Sequence, residues 1–379
     1  MGNAARINPA LLKWVRERAG LAVEDASDRL GVSSELIERW EQGLEAPTFR
    51  QAQKAAASFS APFGFLFLAE PPVEVLPIPE LRRVGGIAPG KPSVDLADTI
   101  RLVAQRQHWY VEFLQDHQAR PLPFVGSHTL ASDPQTIAAS MRKHLGVEVE
   151  VGQRTQDAYF SALVDACEAI GVLVMRSGIV GNNTHRPLDV AEFRGFALVD
   201  PLAPVVFVNS ADAPAARLFT LVHELAHVWL GVSGVSTAAP GTEREEERLC
   251  NAVAGEFLAP EAEFRARWSV DADGLEFCIA KLAMLFHVSK LVIVRRAFDL
   301  GLVDERVYRD RYLAELDAYR NKAKGGGSFY RNAEAKNSTK FARAVLAEAL
   351  SGHMLLRDAG KLLGIQPSNL QKFADRLGA

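Results

Sequence analysis

The run His223-Glu224-Leu225-Ala226-His227 sits inside a stretch whose apolar residues recur with the period of an α-helix. Between Arg217 and Leu230, the residues Leu218, Leu221, Val222, Leu225 and Trp229 fall at i, i+3, i+4, i+7 and i+11, a single apolar stripe. His223 and His227 are four residues apart, so both imidazoles leave such a helix on the same side, off the stripe. Two ring nitrogens converging there can hold one Zn²⁺ at about 2.0–2.1 Å. Glu224, beside the first histidine, is placed to take a proton from a water activated by that ion. The helix therefore has a core side and a metal side.

A catalytic zinc needs a third protein ligand and an open position. The segment 241–260 supplies acids on a second predicted helix, with Thr242 and Glu245 spaced as a capping box and Pro260 as the stop. Leu249, Val253 and Phe257 give this helix its core stripe, and Glu247 and Asn251 lie together on a neighbouring face. Glu247 falls twenty residues after His227, a spacing similar to that of thermolysin-like zinc peptidases. It is the expected third ligand, with Glu256 as second choice and Asn251 as an auxiliary residue. Glu243, Glu245 and Glu246 read as a solvated first turn favoured by the helix dipole. Cys250 reads as a small buried hydrophobe.

The 379-residue chain is long enough for two or three domains, and 48% hydrophobic with 23% charged residues is ordinary for a soluble protein. No signal peptide opens it and no apolar run approaches the ~20 residues that span a bilayer, so no membrane partner is expected. Cys167, Cys250 and Cys278 are few and widely spaced, which argues for the cytoplasm. The net charge of −3 conceals an uneven distribution. Residues 320–379 hold eleven Lys/Arg against four Asp/Glu, an excess of seven.

Four domains are expected. The first, residues 1–70, is built from short helices: Asn8-Pro9 caps one that runs to Arg18, Val23–Leu30 is a second and Ser33–Trp40 a third, after the Gly31-Val32 turn. Leu30-Gly31-Val32-Ser33-Ser34, with Ile37, Trp40, Glu41, Gly43 and Pro47, resembles the helix-turn-helix of phage-repressor-like (XRE-type) regulators. That resemblance implies a recognition helix for a DNA major groove, where Ser33, Ser34 and Arg39 would be the contacting residues. The same trihelical core also serves dimerisation, which leaves a homodimer open. Glu35 and Glu38 on the exposed face, and eight basic against eight acidic residues in 1–60, weaken the phosphate-binding term.

A connector over 71–128 contains a long helix from Leu96 to Asp116. The third domain, 129–320, carries helices at 134–146 and 155–171, strands at 172–175, 193–199 and 205–209, and the two site helices. The strand Val205–Asn209 is a candidate edge for an extended substrate. His185 lies in the polar loop 181–187, which reads first as a plain surface loop and second as the source of a candidate oxyanion donor. His287 marks a turn between two helices over 272–302. After the Gly325-Gly326-Gly327 break, residues 328–379 form a basic helical domain with helix-turn-helix spacing. It is expected to be separable, and to clamp a nucleic acid or an acidic partner. The whole is an α+β fold, mostly helical, with a small sheet in a zincin-like domain.

The order of helix, strands, His-Glu-x-x-His helix and acidic helix is similar to the ImmA/IrrE family of metallopeptidases. The likeness rests on His223-Glu224-Leu225-Ala226-His227 and on Glu247-x-x-Cys250-Asn251-x-Val253-Ala254-x-Glu256-Phe257-Leu258-x-Pro260. It implies zinc on His223, His227 and Glu247, and Glu224 as general base. Its implied substrate is a repressor-type transcription regulator, cut to release gene expression. The Cys250-Asn251 form departs from the Ala-Asn form and resembles a subgroup from mobile elements and toxin–antitoxin-like loci. Two functions follow as expectations. One is a zinc endopeptidase acting on a repressor or toxin. The other is an antitoxin-like binding protein that uses the metallopeptidase fold to hold its partner.

Overall fold

The structure is a computed structural model and describes residues 4–73, 76, 78, 92–147, 156–236, 244–270, 274–321 and 329–378. The chain divides into two compact units, Met1–Leu76 with Leu81–Asp98, and Pro77–Glu80 with Thr99–Ala379.

The first unit is helical: α1 (Pro9–Arg18), α2 (Val23–Leu30), α3 (Ser34–Glu41), α4 (Phe49–Ser58) and a 3₁₀ turn, Phe63–Phe67. Asn8 and Ser33 accept the first free amides of α1 and α3 through their side chains, and Thr48 with Gln51 forms a reciprocal box at α4. Val15, Ala26, Ile37, Trp40, Ala52 and Phe59 meet in one core. Arg16 donates from Nε and Nη2 to both oxygens of Glu41, at 2.7 and 2.9 Å, and locks α1 to α3 below that core. Ser33 is committed to the α3 cap, while exposed Arg39 lies 3.4 Å from Glu45. Hydrogen bonds from its own amide and from Ser33 hold the Glu35 carboxyl below its usual range, so α3 presents a fixed negative charge.

α5 (Val94–Asp116) leads into the second unit. There follow α6 (Pro134–Leu145), α7 (Gln156–Ala169), β1 (Leu173–Ser177), β2 (Gly195–Leu198), β3 (Val205–Asn209), α8 (Pro214–Leu230) and β4 (Gly234–Ser236). Then come α9 (Glu245–Leu258), α10 (Glu261–Arg267), α11 (Gly274–Leu285), α12 (Lys290–Asp299) and α13 (Glu305–Asn321). The sheet order is β1-β3-β2-β4, with β1 parallel to β3 and the other two pairs antiparallel. Val205–Asn209 is thus a central strand. The expected substrate edge is wrong, because β1 and β2 already take both sides of its backbone. Every residue of β3 is buried, which is what the apolar run over 205–208 encodes. Val206 and Val208 join the main core under α8, and Phe207 stacks on Phe196 from the opposite face, ring centroids 4.8 Å apart.

α8 packs on β2 and β3, and α9 crosses both α8 and α6. The stripe Leu218–Leu221–Val222–Leu225–Trp229 faces the core as expected, but the helix is buried nearly all round because α9 covers its histidine side. Leu221, Val222 and Leu225 are fully buried, each worth about 1.5–3 kcal/mol. Gly231 ends α8 at φ 72°, and a Cβ there would meet the Gly126 backbone at 2.9 Å. The Thr242 cap lies outside the described residues, and Arg244 occupies the N-cap of α9. His287 takes φ 54° in the turn between α11 and α12.

The tail forms α14 (Phe329–Asn337), α15 (Thr339–Leu350), α16 (Leu356–Leu363) and α17 (Leu370–Leu377). The glycine break at 325–327 lies outside the described residues. The tail expected to be separable is docked on the second unit's sheet, with α14 packed along β1. Thr339 and Lys340 donate their amides to the Glu168 carboxylate at 3.0 Å each. Arg106 of α5 donates to the carbonyls of Leu362 and Lys336, and Trp109 meets Phe341 edge to face. Apolar burial and satisfied helix-end amides dock the tail, and its net charge does not prevent it.

Candidate metal centre

α8 and α9 cross so that His223, His227 and Glu247 converge. His223 Nε2 and His227 Nε2 are 3.3 Å apart, and the Glu247 oxygens lie 3.2 Å from the first and 3.3 Å from the second. Ligand atoms at three corners of a tetrahedron about 2.0–2.1 Å from its centre stand about 3.3–3.4 Å apart. The Nε2–Nε2 distance matches that figure, and the Glu247 carboxylate straddles the pair, Oε2 toward His223 and Oε1 toward His227. Two imidazole nitrogens and a carboxylate gathered in a buried space form a cage for a cation, and the donor set suits zinc.

The electrostatics agree. Burial lowers the His223 pKa, which favours the neutral ring a metal ligand must be. Burial also opposes charge on His227, but Cys250, Glu247 and Glu224 outweigh it and raise that pKa well above normal. The Glu247 carboxyl is held far below its usual range, against the effect of burial, by hydrogen bonds from the two histidines. The carboxylates that draw a proton onto His227 also draw a divalent ion, which competes with that proton.

The surrounding contacts set orientation. Asn251 Oδ1 lies 3.0 Å from His223 Nδ1, so accepting a hydrogen bond there puts the proton on Nδ1 and turns the Nε2 lone pair inward. Ser236 Oγ donates to Glu224 Oε1 at 2.5 Å, and Glu224 is fully buried. Two glycines make room for these groups: a Cβ on Gly195 would come within 2.8 Å of Glu224 Oε1, and one on Gly234 within 3.0 Å of His227 Cε1. Arg295 lies over the Phe219 ring, one turn before His223, and over Tyr308. Burial alone would raise the Tyr308 pKa, but Arg194 and Arg295 lower it.

The sequence reading missed Ser236, the two glycines and Tyr308. Glu256, the second-choice ligand, faces away from the histidines: its carboxylate is paired with buried Arg296 and accepts the Glu261 amide at 3.1 Å. His185 is exposed, in a loop where Asn182 donates to the Gly364 carbonyl of the tail at 2.6 Å. Cys250 is buried as expected, but its sulfur is also grouped with the two histidines.

Residues 167–298 match the model of the IrrE N-terminal-like domain (Peptidase_M78), and residues 10–59 match a helix-turn-helix domain. Residues 337–376 match a domain of unknown function (DUF8813). No curated protein matches the chain. The first two matches give the chain the architecture of ImmA/IrrE proteins with an N-terminal XRE-type helix-turn-helix.

Proposed function

We propose that this protein is a zinc-dependent endopeptidase that cuts a regulatory protein, with His223, His227 and Glu247 as metal ligands and Glu224 as the general base. The observation that carries the reading is the convergence of the two histidine Nε2 atoms, 3.3 Å apart, on the two Glu247 oxygens at 3.2 and 3.3 Å, with Glu224 on the histidines' own helix. Zinc held there supplies Lewis-acid polarisation of a peptide carbonyl and an acidified water. Glu224 takes the proton of the attacking water and returns it to the leaving amine. Ser236 keeps that carboxylate aimed, and Asn251 keeps the His223 ring in the ligating tautomer.

β4 replaces β3 as the strand on which an extended substrate pairs. It is the sheet edge that carries Ser236, and its Gly234 lies against the His227 ring. The helix-turn-helix unit supports a DNA-linked or protein-linked regulatory role, with DNA contact from Ser33, Ser34 and Arg39 weakened by Glu35 and Glu38. The partner is a repressor or a toxin. No single helix among the described residues is long and apolar enough to cross a membrane. The three unpaired, buried cysteines fit a reducing cytoplasm.

The test uses full-length protein, elemental analysis and the product of the adjacent gene as substrate. About one zinc per chain and cleavage by the wild type, with Glu224→Gln keeping zinc and losing cleavage, is the expected result. Zinc in both with partner binding but cleavage in neither would replace this reading by the antitoxin-like one. His223→Ala and His227→Ala proteins that keep full zinc would remove the site assignment.

A further inference from the structure

Cys250 lies one turn beyond Glu247 on α9 and is fully buried. Residues three apart share a helix face, so both side chains point at the histidine side of α8. Ligand atoms of His223, His227 and Cys250 all lie within 4.8 Å of one another. Neither Cys167 nor Cys278 belongs to such a group among the described residues, although both are equally buried in apolar surroundings. A small hydrophobe would fill this position without a thiol, and this sulfur lies within 4.8 Å of a ring nitrogen of each histidine.

The ligand count gives the thiol a role. Two nitrogens and one carboxylate oxygen fill three corners of a tetrahedron and leave the fourth open. Bonds of about 2.0–2.1 Å to nitrogen and about 2.3 Å to sulfur put tetrahedral N and S atoms about 3.6 Å apart, inside the 4.8 Å within which the three ligand atoms already lie. Thiolate is among the preferred donors of zinc. Four protein ligands make a closed site, and three make an open one.

We propose that Cys250 is a fourth protein ligand of the metal, closing the coordination sphere and keeping the peptidase latent until the sulfur is displaced. The inference rests on the metal-site reading above. The thiol loses its proton to solvent as the metal–sulfur bond forms, and the sulfur regains a proton when that bond breaks and the fourth position opens. No oxidant is required.

Full-length protein, stripped of metal and titrated with Co²⁺, tests this. The expected result is one equivalent bound, with visible bands of a four-coordinate ion and a sulfur-to-cobalt charge-transfer band in the near ultraviolet. Cys250→Ala should keep the visible bands, lose the charge-transfer band and show several-fold higher turnover per bound metal. Cys167→Ala and Cys278→Ala should keep the band. X-ray absorption of the wild-type zinc protein, which needs no variant, should show one sulfur neighbour at about 2.3 Å.

Visible bands without charge transfer, and no sulfur neighbour, would overturn the proposal and leave the three-ligand reading standing. A sulfur signal together with unchanged metal affinity in Glu247→Ala would also overturn it, because the thiolate would then be the third ligand of an open site. Failure to bind either metal would remove both readings.

Discussion

Glu247→Ala and Glu256→Ala should fail in different ways, although both acids stand on α9. The first removes the oxygens 3.2 and 3.3 Å from the two histidines, so zinc measured by elemental analysis should fall well below one per chain. Glu245→Ala and Glu246→Ala should leave it unchanged. The second strips the carboxylate from buried Arg296, at a cost of about 3–5 kcal/mol, while the protein that remains folded keeps its zinc. Equal zinc loss in the two variants would contradict the arrangement. Gly195→Ala should act on the base: its Cβ would stand 2.8 Å from Glu224 Oε1, and a shift of that carboxylate costs about 10²-fold in turnover. Zinc should stay bound, and turnover within a factor of two of wild type would argue against close packing there. The common face of His223 and His227, with Glu224 beside them, was legible because fixed helical spacing places them; their meeting with Glu247 depends on how α9 crosses α8. Ser236 was not, because a three-residue strand has no readable period and its contact with Glu224 depends on how the sheet packs against α8.

Among the elements, α1 and α3 are joined by the buried Arg16–Glu41 pair. Glu41→Ala leaves the guanidinium without its counter-charge, so the melting transition of the first unit should lose about 3–5 kcal/mol, with no change in zinc content. A loss below about 1 kcal/mol would mean that water replaces the carboxylate there. Helix limits were legible where a side chain caps the end: Asn8, Ser33 and Asp133 each accept an amide from the following turn. The positions of β1, β2 and β3 were legible from composition, but β4 and the strand order were not. Val205–Asn209 is apolar at every position but the last, a pattern that describes a strand covered on both faces and says nothing about its neighbours. β3 took the centre through parallel pairing with β1 across α-helix-free chain, and no local signal reports such pairing.

At the scale of the molecule, the first unit should bind DNA weakly or not at all. Glu35 and Glu38 stand on α3 where a reader needs Arg, Asn or Gln, and any binding should fall steeply with salt. Tight sequence-specific binding at physiological salt would overturn this. Removal of residues beyond 328 should destabilise the second unit and promote aggregation, because it uncovers β1 and the Trp109 surface; light scattering against full-length protein checks it. A soluble, fully zinc-loaded truncate would show the docking to be incidental. The docking carries a consequence for how the protein is made. Lys340 reaches Glu168 across 172 residues of sequence, so synthesis places β1 outside the ribosome long before the helix that covers it. Until α14 emerges, the outer edge of β1 is a free template for pairing with other chains. Prematurely terminated chains therefore carry the whole histidine–glutamate cage yet keep an edge open to pairing. A chain that stops before the late helix leaves this edge uncovered, so completion of the chain and protection of the sheet are tied together.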